Sequence, residues 1–383
     1  MRKILKIVGS IILVLILFVM LTKLWADKTY FNEYDPDLPF NVQMEGSTTI
    51  HEPFEFYGVH RVKHFEEILF TIDARPNEPM PVLLTLPVRR SGKLPAIVFL
   101  HGIGQGKGFV REICTPFTNA GFAMVSFDQH MRGPRRVEGN PFKQVLAFRQ
   151  RPWKTVNDAR RLIDYLQTHP EIDPERIYLV GASYGAITGT SLTAFEDRIR
   201  AAVLVVGGGN IPVMLNAPMI RDGVNNAALH WIARTFVSWL MRPADPIHYG
   251  HLTEGTPVLM QSGSEDILVT PEAGEELYNS LGSPKEIRWY PCDHPGNREE
   301  DAPIIVQILD EALEWLLEID SVHRNDVPVV DDAVSEAVQE EAHPESPPLE
   351  DADEDDFGDD EEEDDDNVEA DAPDSSDEME AAA

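Results

Sequence analysis

Five short, almost wholly apolar runs, A-I-V-F-L, F-A-M-V-S-F, I-Y-L-V, A-A-V-L-V-V and P-V-L-M, recur from residue 95 onward, separated by longer stretches of helical character. A strand that is apolar at nearly every position, rather than every second one, must be covered on both faces. A parallel sheet flanked by helices reads this way. The intervening segments agree. In residues 153–169, Val156, Ala159, Ile163 and Leu166 fall at spacings of three and four, while Arg160, Arg161, Asp164 and Gln167 face away. Upstream, F-E-F-Y-G-V-H-R-V and P-V-L-L-T-L-P-V suit an antiparallel lead-in to the sheet. The expected fold class is therefore α/β, with a mostly parallel sheet between helical layers.

The strand I-Y-L-V runs into G-A-S-Y-G, residues 181–185, and then into a helix-like stretch. A serine held in a tight strand-to-helix turn projects its Oγ above the sheet, and small residues two before and two after it let neighbouring backbone pass close by. Ser183 is the candidate nucleophile, with Gly181 and Gly185 as the small neighbours. A second strand, A-I-V-F-L, leads into H-G-I-G, residues 101–104. Here Gly102 and Gly104 give the backbone freedom to aim N–H groups at a developing oxyanion. The expected donors are the N–H groups of Ile103 and Tyr184, with His101 orienting the loop. Two later strands deliver G-S-E-D-I-L-V and P-C-D-H-P-G, placing Asp266 and His294 in successive loops. Ser, Asp, His is the chain order of a hydrolase triad on an α/β sheet. Glu265 and Asp293 are adjacent alternatives, both expected to face solvent.

With these residues in view, the chain resembles, over residues 80–319, the α/β-hydrolases of the dienelactone hydrolase, acetyl xylan esterase and prolyl-oligopeptidase-like grouping. H-G-I-G, W-K-T-V-N-D-A-R-R-L-I-D-Y-L, I-D-P-E-R-I-Y-L-V-G-A-S-Y-G and P-V-L-M-Q-S-G-S-E-D-I-L-V carry the likeness. The resemblance implies an α/β-hydrolase fold with an eight-stranded, mostly parallel sheet. It also implies hydrolysis of esters or amides with no metal and no cofactor. Ala186 stands where many relatives have a second Gly, a difference that concerns helix packing. A serine at the nucleophile position favours the esterase side of the grouping, acting on a small or medium acyl ester such as an acetylated carbohydrate. A serine peptidase or an acyltransferase would use the same acyl-enzyme, and an inactive membrane-tethered scaffold would keep only the fold.

Residues 208–252 form an insertion of the kind that makes a helical cap. Asn226, His230, Arg234, Ser238 and Arg242 recur every four residues among mostly apolar neighbours, which describes a helix with a narrow polar stripe. Trp231, Phe236 and Trp239 on it are expected either to pack on the body or to line a substrate pocket.

The two ends of the chain differ from its middle. After Arg2, Lys3 and Lys6, residues 7–22 carry no charge, so residues 1–26 read as a membrane anchor or a signal peptide. Either would place the hydrolase domain, residues 27–324, outside the cytoplasm. Residues 325–383 hold 27 of the 66 acidic residues and no Lys or Arg, leaving the rest of the chain at -7 against -34 overall. That composition describes a disordered acidic tail, which offers a cationic partner a surface. No basic stripe is present to track nucleic acid. Cys114 and Cys292 are too few for a zinc site, and spacing leaves a disulfide and two buried thiols both open.

Overall fold

The computed structural model describes residues 2–32, 34–224 and 226–324. The acidic tail expected at 325–383 lies outside the described residues. Strands β1 (Gln43–Phe56), β2 (Val59–Arg75) and β3 (Glu78–Pro87) follow helix α1 (Arg2–Lys28) and pair antiparallel as the lead-in. The parallel part comprises β4 (Leu94–Leu100), β5 (Ala123–Phe127), β6 (Ile172–Ala182), β7 (Ile199–Val205), β8 (Val258–Gly263) and β9 (Lys285–Tyr290). All nine form one sheet in the order β1-β2-β3-β5-β4-β6-β7-β8-β9. The expected eight strands thus become nine, because the lead-in hairpin adds β1 as an outer edge strand.

Each apolar run of the sequence is one of the parallel strands, and the double-sided burial has a simple origin. In β4, Ala96, Val98 and Leu100 enter one core with α3 (Pro141–Thr168), while Ile97 and Phe99 enter the other with α2 (Val110–Asn119) and α9 (Ala302–Arg324). Successive side chains point to opposite faces, so a strand with helices on both sides needs no polar alternation. Helices α4 (Tyr184–Phe195) and α8 (Pro271–Ser280) complete the first layer, and α5 (Ile211–Met214), α6 (Pro218–Asp222) and α7 (Ala227–Met241) make up the insertion between β7 and β8. The register aligns strand ends: Leu100 pairs with Gly181, Ala182 with Val205, and Gly263 with Tyr290. Loops that leave these ends consequently gather at one edge of the sheet.

Two helices bear on the sequence expectations. Among the described residues no helix is long and apolar enough to cross a membrane. The uncharged run of residues 7–22 would rise only about 24 Å as a helix, short of the roughly 30 Å hydrocarbon core. Helix α7 departs from expectation: its buried residues are His230 and Met241, its Arg234 and Ser238 are half-buried, and Trp231, Phe236 and Trp239 are exposed.

Cys114 and Cys292 are free and buried. Burial pushes the Cys114 thiol up to about 12 and the Cys292 thiol up to about 11. The thiolate is the reactive form. The folded protein is expected to leave Ellman's reagent unreacted at neutral pH and to yield both thiols in guanidinium. Rapid labelling of the native protein would contradict this burial.

Candidate active site

The turn that carries Ser183 is built by close approach. A Cβ on Gly185 would run into the carbonyl of Leu100 in β4, and one on Gly181 into the carbonyl of Gly185. Only glycine lets β6, the turn and α4 pass each other at these two points. Ser183 itself adopts φ 54° and ψ -118°, a strained conformation for a non-glycine residue. Its N–H donates to the carbonyl of Val205 at 2.8 Å, which ties the turn to the end of β7. Ala186 is fully buried, and its Cβ sits where a side chain at Gly207 would have to be. Ala186 thus packs against a glycine, Gly207, just past the end of β7.

Beyond β8 and β9, the acid and base loops are cross-linked. His294 Nε2 lies 3.1 Å from Ser183 Oγ, and His294 Nδ1 lies 2.7 Å from Asp266 Oδ2. The other carboxylate oxygen, Asp266 Oδ1, accepts the N–H groups of Leu268 at 2.8 Å and Val269 at 2.7 Å. With Asp266 accepting at Nδ1, the imidazole presents a bare Nε2 to the serine hydroxyl. Glu265 is exposed and pairs with Arg298 at 2.6 Å. Asp293, however, does not face solvent as expected. It is buried, and its Oδ1 accepts the N–H of Ile267 at 3.0 Å and of His294 at 2.7 Å. Burial alone would raise its carboxyl, but these N–H groups, Asn297 and Arg298 hold it below the ordinary carboxylate value. Asp293 is a strut between the acid and base loops. The sequence signal for it was its place directly before His294, which by itself does not separate inward from outward.

The H-G-I-G loop is held by its carbonyls. Gln129 Nε2 donates to His101 O at 3.0 Å, His101 Nδ1 to Gly102 O at 2.9 Å, and Arg151 to Ile103 O at 3.0 Å. Arg132 takes the carbonyls of Gly104 and Gln105. In a trans peptide the C=O and the following N–H point in opposite directions. Holding Gly102 O therefore turns the Ile103 N–H to the other side of the strand end. Tyr184 N–H opens α4, where a helix has unpaired donors. Burial lowers His101 to about 4, so it works as a neutral donor through Nδ1. Arg132 and Arg151 sit in segments with no motif, so the sequence does not mark them as holders of this loop.

Ser183 and His294 open onto a cavity of about 270 Å³ that Gly102, Ile103 and Gly104 also line. Its walls are apolar: Phe56 and Tyr57 from the tip of the β1–β2 hairpin, Phe109 before α2, and Ile305, Ile308 and Leu309 from α9. Trp231, Phe236 and Trp239 do not line it. The pocket expected from the insertion is instead supplied by the hairpin and the last helix. The hairpin tip reaches over because Tyr57 and Gly58 take positive φ of 48° and 76°, the geometry of a tight two-residue turn.

Comparisons with known proteins agree with this architecture. The Bacillus subtilis protein YtaP is 28% identical over 148 residues, 34% of this chain and 50% of its own length, so the chain spans about half of that relative. Esterase YjfP of Escherichia coli is 23% identical over 250 residues, covering 64% of this chain and 97% of its own. Among solved structures, Acetyl Xylan Esterase 1 from a Thermoanaerobacterium species superposes with a TM-score of 0.55 at 18% identity, over 74% of this chain and 93% of that one. The sequence profile described as the alpha/beta hydrolase family matches residues 97–354. The chain belongs to the alpha/beta hydrolase family.

Proposed function

We propose that the protein is a serine-dependent carboxylic ester hydrolase that prefers esters with an apolar acyl chain of several carbons. The observation that carries the reading is the chain Ser183–His294–Asp266, at 3.1 and 2.7 Å, opening onto a cavity walled by aromatic and aliphatic side chains. His294 Nε2 takes the hydroxyl proton as Ser183 Oγ attacks the ester carbonyl, and Asp266 stabilises the imidazolium that results. The oxyanion faces the N–H groups of Ile103 and Tyr184. The proton then passes from His294 to the departing alcohol, and water hydrolyses the acyl-enzyme by the same route. An acetyl group would leave most of the cavity unfilled, whereas each further methylene buried there contributes about 0.8 kcal/mol.

Two measurements test this reading. A fluorophosphonate probe should label Ser183, and absence of labelling would remove the serine mechanism. In a p-nitrophenyl ester series, kcat/KM should rise at least about tenfold from acetate to hexanoate, given the methylene contribution above. A preference for acetate would reject the apolar-acyl assignment and leave the serine mechanism standing.

A further inference from the structure

Helix α7 is inside out. Its His230 is buried, with Nε2 against the carbonyl of Leu215 at 2.9 Å. Leu229, Ile232, Phe236 and Trp239, at spacings of three and four, form an exposed apolar stripe beside Trp231, which is 66% exposed. A soluble helix puts that stripe on the core and its polar residues outside. The first half of α3 repeats the anomaly. Phe142, 77% exposed, continues with Val145 and Leu146 along one face.

These stripes belong to one region. Arg149 of α3 pairs with Asp27 of α1 at 2.8 Å and donates to the carbonyl of Leu240 in α7. Lys23 of α1 pairs with Asp27 and lies 4.8 Å over the ring of Trp239. The three helices are thereby tied at one knot. From that knot α1 runs on with Leu13, Val14, Leu17, Phe18, Met20 and Leu21 all exposed. A helix apolar on every side needs an apolar medium around it, which a flat protein partner, covering one side, does not provide.

We propose that the outer faces of α1, α7 and the first half of α3 form a surface on which the protein rests in a lipid bilayer interface. Charge complementarity favours anionic headgroups. In a chain with 66 acidic residues, α7 and residues 141–157 contain none, and the single carboxylate of α1, Asp27, is neutralised by Lys23 and Arg149. Exposed Lys28 and Lys143 lie on α1 and α3, and exposed Arg242 directly follows α7. Trp25, Trp231 and Trp239 supply the amphipathic rings that settle at headgroup level. No helix has to cross the bilayer for this arrangement. Arg151 of α3 holds Ile103 O, so the wall of the candidate site formed by the H-G-I-G loop adjoins a docking helix. That consequence rests on the esterase reading; the docking surface does not.

The test uses the full chain with unilamellar vesicles of phosphatidylcholine and phosphatidylglycerol, part of whose acyl chains are brominated. Emission from bound protein should be quenched, and the quenched fraction should shrink in Trp231→Phe/Trp239→Phe, which isolates α7 from Trp25. Trp231→Glu/Phe236→Glu should weaken partitioning into the vesicles at least about tenfold, since two rings that were shedding water are replaced by charges. Its thermal midpoint and its hydrolysis of p-nitrophenyl acetate without vesicles should match the parent protein. Unquenched α7 tryptophans in vesicle-bound protein, or a glutamate variant that floats with vesicles like the parent, would overturn the proposal by leaving α1 as the whole attachment. A stable dimer that shields Trp231 and Trp239 from aqueous iodide would overturn it in favour of a second copy of this chain.

Discussion

Replacing Ser183 with Ala is expected to lower kcat for p-nitrophenyl hexanoate on the order of a millionfold, the scale seen when a serine nucleophile is removed from an intact triad. The Oγ is the atom that forms and breaks the acyl bond, and it is the hydroxyl that sits 3.1 Å from His294 Nε2. The fold should survive. Alanine accepts the φ of 54° no worse than serine does, and the N–H bond to Val205 O, which anchors the turn, is a backbone bond. Circular dichroism and thermal melting alongside the turnover assay separate loss of chemistry from loss of structure. A folded variant within about tenfold of the parent would move the nucleophile elsewhere.

Asp266→Asn is the second large effect, with an expected loss of about 10,000-fold in kcat. Asp266 Oδ1 is committed to the N–H groups of Leu268 and Val269. An asparagine would keep its carbonyl there and turn its amide toward His294 Nδ1. A donor at Nδ1 forces the ring proton onto Nε2, where it blocks transfer from Ser183. Glu265→Gln, by contrast, removes only an exposed ion pair with Arg298, and exposed pairs contribute little because solvent screens them. Its turnover should stay within about threefold of the parent. The reverse ranking of the two variants would make Glu265 the acid.

Legibility in the sequence followed locality. The apolar runs named the parallel strands because burial on both faces leaves a mark on every residue of a strand. Ser183, Asp266 and His294 were legible because each sits within a few residues of a strand end, and parallel strands deliver their ends to a common edge. Their convergence to 3.1 and 2.7 Å is then a matter of register. Asp293 was misplaced because the residue beside a catalytic-loop histidine can turn either way. Its direction depends on the Ile267 N–H that a different loop presents.

By itself, then, the sequence determined the α/β class, the strand-to-helix turn at Ser183 and the chain order of the candidate triad. These rest on local sterics and on one-dimensional apolar patterning. Only the tertiary structure decided which residues wall the cavity, since Phe56, Phe109 and Ile308 come from separate segments whose meeting depends on where the hairpin and α9 pack. It also decided the facing of α7. A period of three to four residues locates two faces on a helix but carries no information about which one meets the core. Here His230 bonded to Leu215 O, together with Met241, points the polar side inward and leaves Trp231, Phe236 and Trp239 outside.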